Sequence, residues 1–384
     1  MNRRDLTDKI ANLGAFQSLE AAQRAGYRLV KARDADRYYL AQDRDLQPLL
    51  VRLGDIAEVR RGFTTGANEF FYLEPVDTRV ADLLRSTDSP VRATGSLDRT
   101  VQATVRVKNG AGWQGEIEAS WLRPVIKSPR ELKTLRVRPE DLRYLVLMPP
   151  DEIRDRLPLL AASGELRKRY PHAWAYIQWG EKQGYQKNPT CAARKFWWLL
   201  DSRYSPIKMP MFYRTRIFVA GTVAFCDAQL YDVVPKQNGS FSDEVLLALL
   251  NSTTTVLQAE MGGRHYGGGG GPLKFQVYEA KSCLLPNPAA LTTAQRERLL
   301  EAFEKLAERE VKSIFEELGL PKPNKDYSNI RVEDVSLERV LPDRRALDAV
   351  VFEVLGLSEQ EQLAVYRAVV ELVKSRLVKA QSVG

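Results

Sequence analysis

The spacing of apolar positions changes twice along this chain. In residues 1–50 charged and apolar residues alternate without a clean turn boundary. There SLEAAQRA over Ser18–Ala25 predicts a short helix, and YRLVKARDADRYYL over Tyr27–Leu40 a hairpin turning at Asp34-Ala35-Asp36. From about 51 to 288 short β-type runs dominate, among them Ala103–Val107, Tyr144–Leu147, Ile217–Ala220 and Thr222–Phe225, with Gly, Pro and Asn clustered between them. Ala220-Gly221-Thr222 reads as a hairpin turn joining the last two. DEVLLALL over Asp243–Leu250 reads as a helix capped by Ser242 or Asp243.

After Pro286-Asn287-Pro288 the period becomes helical. Thr292 and Gln295 fit a capping box, and Leu299, Phe303, Leu306, Val311, Ile314 and Leu318 continue one stripe to a stop at Gly319, with Pro321 and Pro323 beyond. A second helix is predicted from Asp343 to Leu355 with Gly356 as its C-terminal stop, and a third from a Ser358/Glu361 capping box to about Lys379. The fold class is therefore α+β: a β-rich mixed α/β domain over 51–288, a helical domain over 289–384, and an N-terminal segment, 1–50, suited to contact with a partner.

Charge narrows the function. The 384 residues carry a formal net charge of +8, with 44% hydrophobic and 28% charged residues, and a pI of about 9.2. A soluble chain with that excess favours a polyanion, nucleic acid first, where the cations cluster. Cys191, Cys226 and Cys283 are scattered, and His172 and His265 are the only histidines, so neither a disulfide framework nor a zinc site is expected. No apolar run is long enough for a membrane span and the N-terminus lacks a signal-type apolar region, which points to the cytoplasm.

Catalytic patterns are hard to place. Neither a Walker-type nor a dinucleotide-type glycine loop stands in a strand–loop–helix context, and there is no nucleophile elbow. Met148-Pro149-Pro150-Asp151 lacks the front amide and the terminal aromatic of an amino-methyltransferase motif. Four basic stretches carry the binding signal instead. In LGDIAEVRRGFTTGANEFFY, Arg60 and Arg61 offer forked donors and Thr64, Thr65 and Asn68 short neutral ones, which suit phosphates and base edges; the same residues also build ordinary surface turns. Lys127 and Arg130 form a basic edge in KSPRELK. Lys187 and Arg194 flank aromatics that suit stacking, while the Trp197-Trp198 pair is expected in the core. In GGRHYGGGGGPLKF, Arg264, His265, Tyr266 and Lys274 surround a run of five glycines through which the backbone can approach a polyanion closely; a tight structural crossing explains the glycines equally well.

In this order these stretches resemble the C-terminal target-recognition region of N6-adenine DNA methyltransferases of the gamma arrangement. The likeness runs through LGDIAEVRRGFTTGANEFFYL, WLRPVIKSPRELK, CAARKFWWLL, the segment LLNSTTTVLQAEMGGRHYGGGGGPLKFQVYEAKSCLLPNP, and DRRALDAVVFEVLGL, covering roughly residues 50–380. It implies double-stranded DNA as ligand. Only about fifty residues precede the region, so the methylating domain and its Asn/Asp-Pro-Pro-aromatic motif are not carried over. The expectation is a non-catalytic specificity subunit of a restriction–modification or phage-defence assembly, with no cofactor of its own. Its partners would be a catalytic methyltransferase subunit that binds S-adenosylmethionine and, where the system restricts, a nuclease subunit. Half of a split methyltransferase and a protein-interaction scaffold are the alternatives. The helical tail is the expected dock for the catalytic subunit, with DNA binding by 51–288 surviving without it.

Overall fold

The computed structural model describes residues 10–11, 19–24, 27–31, 38–42, 49–85, 103–236, 241–265 and 271–382. The fold class is α+β. At the N-terminus, helix α1 (Leu19–Arg24) precedes an antiparallel pair, β2 (Tyr27–Lys31) and β3 (Tyr38–Gln42), with β1 (Ile10–Ala11) parallel to β3. The hairpin strands are thus where the alternation places them; the Asp-Ala-Asp turn lies outside the described residues.

The larger sheets begin after β4 (Leu50–Arg52) and a helical turn at Leu53–Ile56. In chain order they use β5 (Ala57–Arg61), β6 (Tyr72–Pro75), β7 (Thr104–Asn109), β8 (Gln114–Glu118), β9 (Leu122–Ile126) and β10 (Tyr144–Leu147). Then come β11 (Ile207–Pro210), β12 (Phe212–Tyr213), β13 (Ala220–Gly221), β14 (Phe225–Cys226) and β15 (Leu230–Pro235). After these stand β16 (Arg264–His265), β17 (Leu273–Lys274) and β18 (Leu284–Pro286). A six-stranded sheet has the order β14-β9-β10-β6-β7-β8, and a four-stranded one β13-β11-β15-β5. A small three-stranded sheet, β12-β17-β16, and the pair β18-β4 complete the set. All pairs in the two larger sheets are antiparallel except β14 with β9.

Long-range pairing overrides two local expectations. Ala220-Gly221 is a strand rather than a turn: Ala220 pairs with Lys208 and Gly221 with Ile207, and the Gly221 amide donates to Leu135 O at 2.7 Å. The stripe expected as one helix over 293–318 is two, α7 (Thr293–Ala307) and α8 (Ile314–Glu317), because the Val311 amide donates to Lys133 O at 2.8 Å and the Ile314 amide to Thr215 O at 2.7 Å. Those bonds draw the intervening chain onto the β region. Helix labels in chain order are α2 (Asn68–Phe71), α3 (Pro171–Gln183), α4 (Asp243–Leu250), α5 (Thr253–Gly262) and α6 (Val277–Ser282) before these two. After them come α9 (Pro342–Leu355) and α10 (Glu359–Ser382). The predicted Ser242 and Thr292 caps form, and the Ser358 hydroxyl meets the Glu361 amide.

One hydrophobic cluster runs from Leu53 through both large sheets to Leu377 on α10. Buried polar ties cross it. Asp348 on α9 accepts from the Thr253 amide (2.8 Å) and hydroxyl (2.6 Å) at the start of α5 and from Tyr366 on α10 (3.2 Å). Arg344 donates to Asn251 O and pairs with Glu317 at 3.4 Å. Trp197 and Trp198 are buried, as their pairing suggests.

Candidate nucleic-acid interface

The loop after β5 is fixed from behind. Gly62 passes so close to β14 that a Cβ there would lie 2.5 Å from the carbonyl oxygens of Cys226 and Asp227, so only glycine fits. Gly66 has φ +74°, and its Cβ would lie 2.6 Å from Thr190 Cβ. The CAAR stretch packs beneath: Arg194 donates to the carbonyls of Thr64, Thr65 (2.8 Å) and Trp197 (3.0 Å), and Asn188 Nδ2 to Gly66 O (2.8 Å). Burial lowers the Arg194 pKa. The two stretches singled out separately in the sequence therefore form one unit.

This revises several expected contacts. Arg194 holds the loop, its donors turned onto loop carbonyls. Thr65 is fully buried, and its hydroxyl donates to Asn68 Oδ1, so it has no surface with which to read a base edge. Arg60 is partly buried, bonded to Tyr204 O (3.2 Å) and paired with Asp232 (3.7 Å). Arg61 is exposed, but its Nε donates to Ala228 O at 2.8 Å. Thr64, Asn68 and Lys187 face solvent.

Beside α2 an open cleft of about 390 Å³ is lined by Asn68, Tyr72, Glu74, Lys108, Lys127, Arg143 and Tyr144, among others. Lys127 Nζ lies 4.8 Å from the Tyr144 ring centre and 5.5 Å from that of Tyr72. Arg143 stacks on Tyr144 at 5.3 Å and pairs with Glu74 at 3.2 Å, and Lys108 reaches Glu74 at 3.7 Å. Tyr72 donates to buried Asp227, and burial drives its pKa far above the ordinary phenol range, so it stays neutral. Arg130 stands exposed nearby without an ion-pair partner among the described residues. Below it Glu131 accepts from the Ser128 amide (2.8 Å), its other oxygen is buried without a partner, and burial pushes its carboxyl up to about 7. Of the sequence candidates the cleft gathers Asn68 and Lys127. Arg143, Tyr144, Lys108 and Tyr72 were missed, and the adjacent Arg143-Tyr144 pair was the one signal that pointed to them.

A second cationic element lies on the small sheet. Phe212, Lys274 and Arg264 are cross-strand partners on β12, β17 and β16, so their side chains share one face. Lys274 Nζ sits 5.7 Å from the Phe212 ring centre; Arg264 stacks on Tyr278 at 5.3 Å and pairs with Glu279 at 2.9 Å. Phe212 and Tyr278 are exposed aromatics, 39% and 49%. His265 is exposed and, paired with buried Leu273, belongs to the opposite face. Tyr266 and Gly267–Gly270 lie outside the described residues. Row and cleft are linked through Gln229, whose carbonyl accepts from the Met211 amide (3.1 Å) and whose Nε2 donates to Lys127 O (3.3 Å).

The arrangement can neutralise phosphates and stack on exposed rings. It holds no exposed nucleophilic thiol: Cys191, Cys226 and Cys283 are buried, and burial raises each thiol, Cys226 and Cys283 to about 12. Among the described residues no group of His, Cys, Asp and Glu is placed to hold a metal ion, and no helix is long and apolar enough to cross a membrane.

Residues 117–318 match the family described as "Type II methyltransferase M.Eco57I, C-terminal domain". That span contains Lys127, Arg143 and the whole β12-β17-β16 sheet, while the Gly62–Asn68 loop precedes it. Among solved structures the chain is similar to the type IIG restriction endonuclease BpuSI, at 13% identity and a TM-score of 0.44, over 86% of this chain and 32% of that one. The chain thus spans about a third of that protein's length. No curated protein matches it.

Proposed function

The chain belongs to the family of the type II methyltransferase M.Eco57I C-terminal domain, and on that premise we propose that it is a non-catalytic DNA-recognition subunit. In this reading it grips duplex DNA and holds a separate N6-adenine methyltransferase in register with its target, within a restriction–modification assembly. One observation carries the reading: the cleft around Lys127 and the row Phe212–Lys274–Arg264 each set cations against aromatic rings, and the two are tied through Gln229. Cations in these places meet the phosphate backbone, and Thr64 and Asn68, exposed on and beside the loop that Arg194 braces, are the short polar groups suited to a groove.

The methyl donor, S-adenosylmethionine, is assigned to the partner. Doubly wound folds hold nucleotide-like cofactors at the carboxyl ends of parallel strands, and the two larger sheets offer one parallel pair, β9 with β14, which has no glycine loop leading into a helix. That pair does not fit such a group.

Amide hydrogen exchange of the full chain with and without a mixed-sequence duplex tests the proposal. Protection is expected in peptides covering 62–69, 125–131, 211–213 and 271–275. Protection confined to α9 and α10, or none at low salt, would remove the face from consideration.

A further inference from the structure

Arg376 on α10 is almost wholly enclosed, its side chain 1% exposed against Glu260 at 0%. Its Nε and Nη2 donate to the two Glu260 carboxylate oxygens at 3.0 and 2.7 Å. Nη2 also donates to Arg214 O at 2.9 Å, and Nη1 to Gly271 O. Each of these partners flanks a different strand of the small sheet. Glu260 stands on α5, which runs through Gly263 directly into β16; Gly271 and Pro272 lead into β17; Arg214 directly follows β12. One guanidinium therefore fastens all three strands that carry Phe212, Lys274 and Arg264.

Gly271 adds a second seat. Its φ is +66°, and a Cβ there would lie 2.5 Å from Ala380 Cβ and 3.2 Å from Arg376 O, so the chain leading into β17 rests on the last turns of α10. A buried ion pair is often replaceable by apolar residues without loss of stability. An apolar pair lacks the fixed, forked direction of a guanidinium toward several acceptors at once.

We infer that Arg376 is a positioning residue for nucleic-acid binding: α10, through this guanidinium and the Gly271 seat, sets where the cationic row stands relative to the cleft. The inference rests on the DNA-binding reading above. Sliding or tilting α10 moves Lys274 and Arg264 with it, so the helical tail and the binding face are one mechanical unit.

The test uses the full chain, a labelled mixed-sequence duplex over a salt series, and a urea midpoint for every variant. Gly271→Ala is expected to weaken binding about tenfold and to make the salt dependence shallower by up to about two charges, as Lys274 and Arg264 are displaced. Ala380→Gly alone binds as the parent does. Combined with Gly271→Ala it relieves the clash and recovers binding to within about threefold of the parent, some strain from the positive φ remaining. Glu260→Leu with Arg376→Met keeps the unfolding midpoint yet loses about tenfold in binding, since packing is retained while the three strand anchors are gone. Folded variants that match the parent in affinity and salt dependence overturn the inference, as does failure of Ala380→Gly to restore Gly271→Ala. A parent chain that does not bind duplex brings down the DNA-binding reading itself, and this inference with it; a parent that binds while the variants are unaltered brings down the positioning role alone.

Discussion

Side chains on the candidate face divide into those that build it and those left to use it, and stability separates the two. Arg194→Ala removes charged hydrogen bonds to three carbonyls and is expected to cost about 2–3 kcal/mol in a urea titration. Lys187→Ala, with an exposed side chain, should leave stability within about 0.5 kcal/mol while lowering the salt dependence of duplex binding by about one charge. Equal destabilisation by the two would refute this division. Glu131 supplies a pH signature. Its folded carboxyl titrates near 7 against an ordinary 4.5, because burial disfavours the charged form. The folded state then holds a proton that the unfolded state has released, so this group lowers stability as pH rises from about 4.5 to 7 and costs a constant amount above that. Glu131→Gln keeps the amide acceptor for Ser128 and should stabilise the chain at pH 8 but hardly at pH 5; the urea midpoint at both pH values checks it. The same stabilisation at both values would mean the carboxyl is not held neutral.

Elements were legible where their signals are local. Capping boxes at Thr292 and Ser358 start the helices they predict, because a cap is closed by residues three positions away. Gly221 misled because its partner is Ile207 in another strand, and the stripe over 293–318 misled because Val311 bonds to Lys133. Arg194 was legible as important but not as a brace, since the two loop carbonyls it holds, of Thr64 and Thr65, stand 130 and 129 positions earlier. The cleft was half legible for the same reason: Lys127 and Asn68 could be named, whereas Arg143 and Tyr144 join them only when β9, β10 and β6 pair. The loop offers a test at this scale. Gly66→Ala meets both a positive φ and the Thr190 side chain and is expected to cost about 2 kcal/mol or more; near-parent stability by urea titration would mean the loop is not held as described.

At the scale of the whole molecule, the helical tail was expected to be separable from the DNA-binding region. The buried contacts of Asp348 with Thr253, Arg344 with Asn251, and Arg376 with Glu260 argue that it is not. A chain ending at Val340 should lose cooperative unfolding and near-ultraviolet circular dichroism, where a separable tail would leave both intact for 51–288. The net charge of +8 becomes a binding argument only where cations cluster, and Lys127 in the cleft and Lys274 in the row are the two that test it. The most direct measurement is therefore the salt dependence of duplex affinity for the parent chain and for the double variant Lys127→Ala, Lys274→Ala. Steep weakening with salt is expected for the parent, and a slope shallower by about two charges for a double variant that unfolds at the parent's midpoint. No duplex binding at low salt, or an unaltered slope in the folded double variant, would contradict the assignment of this face to DNA.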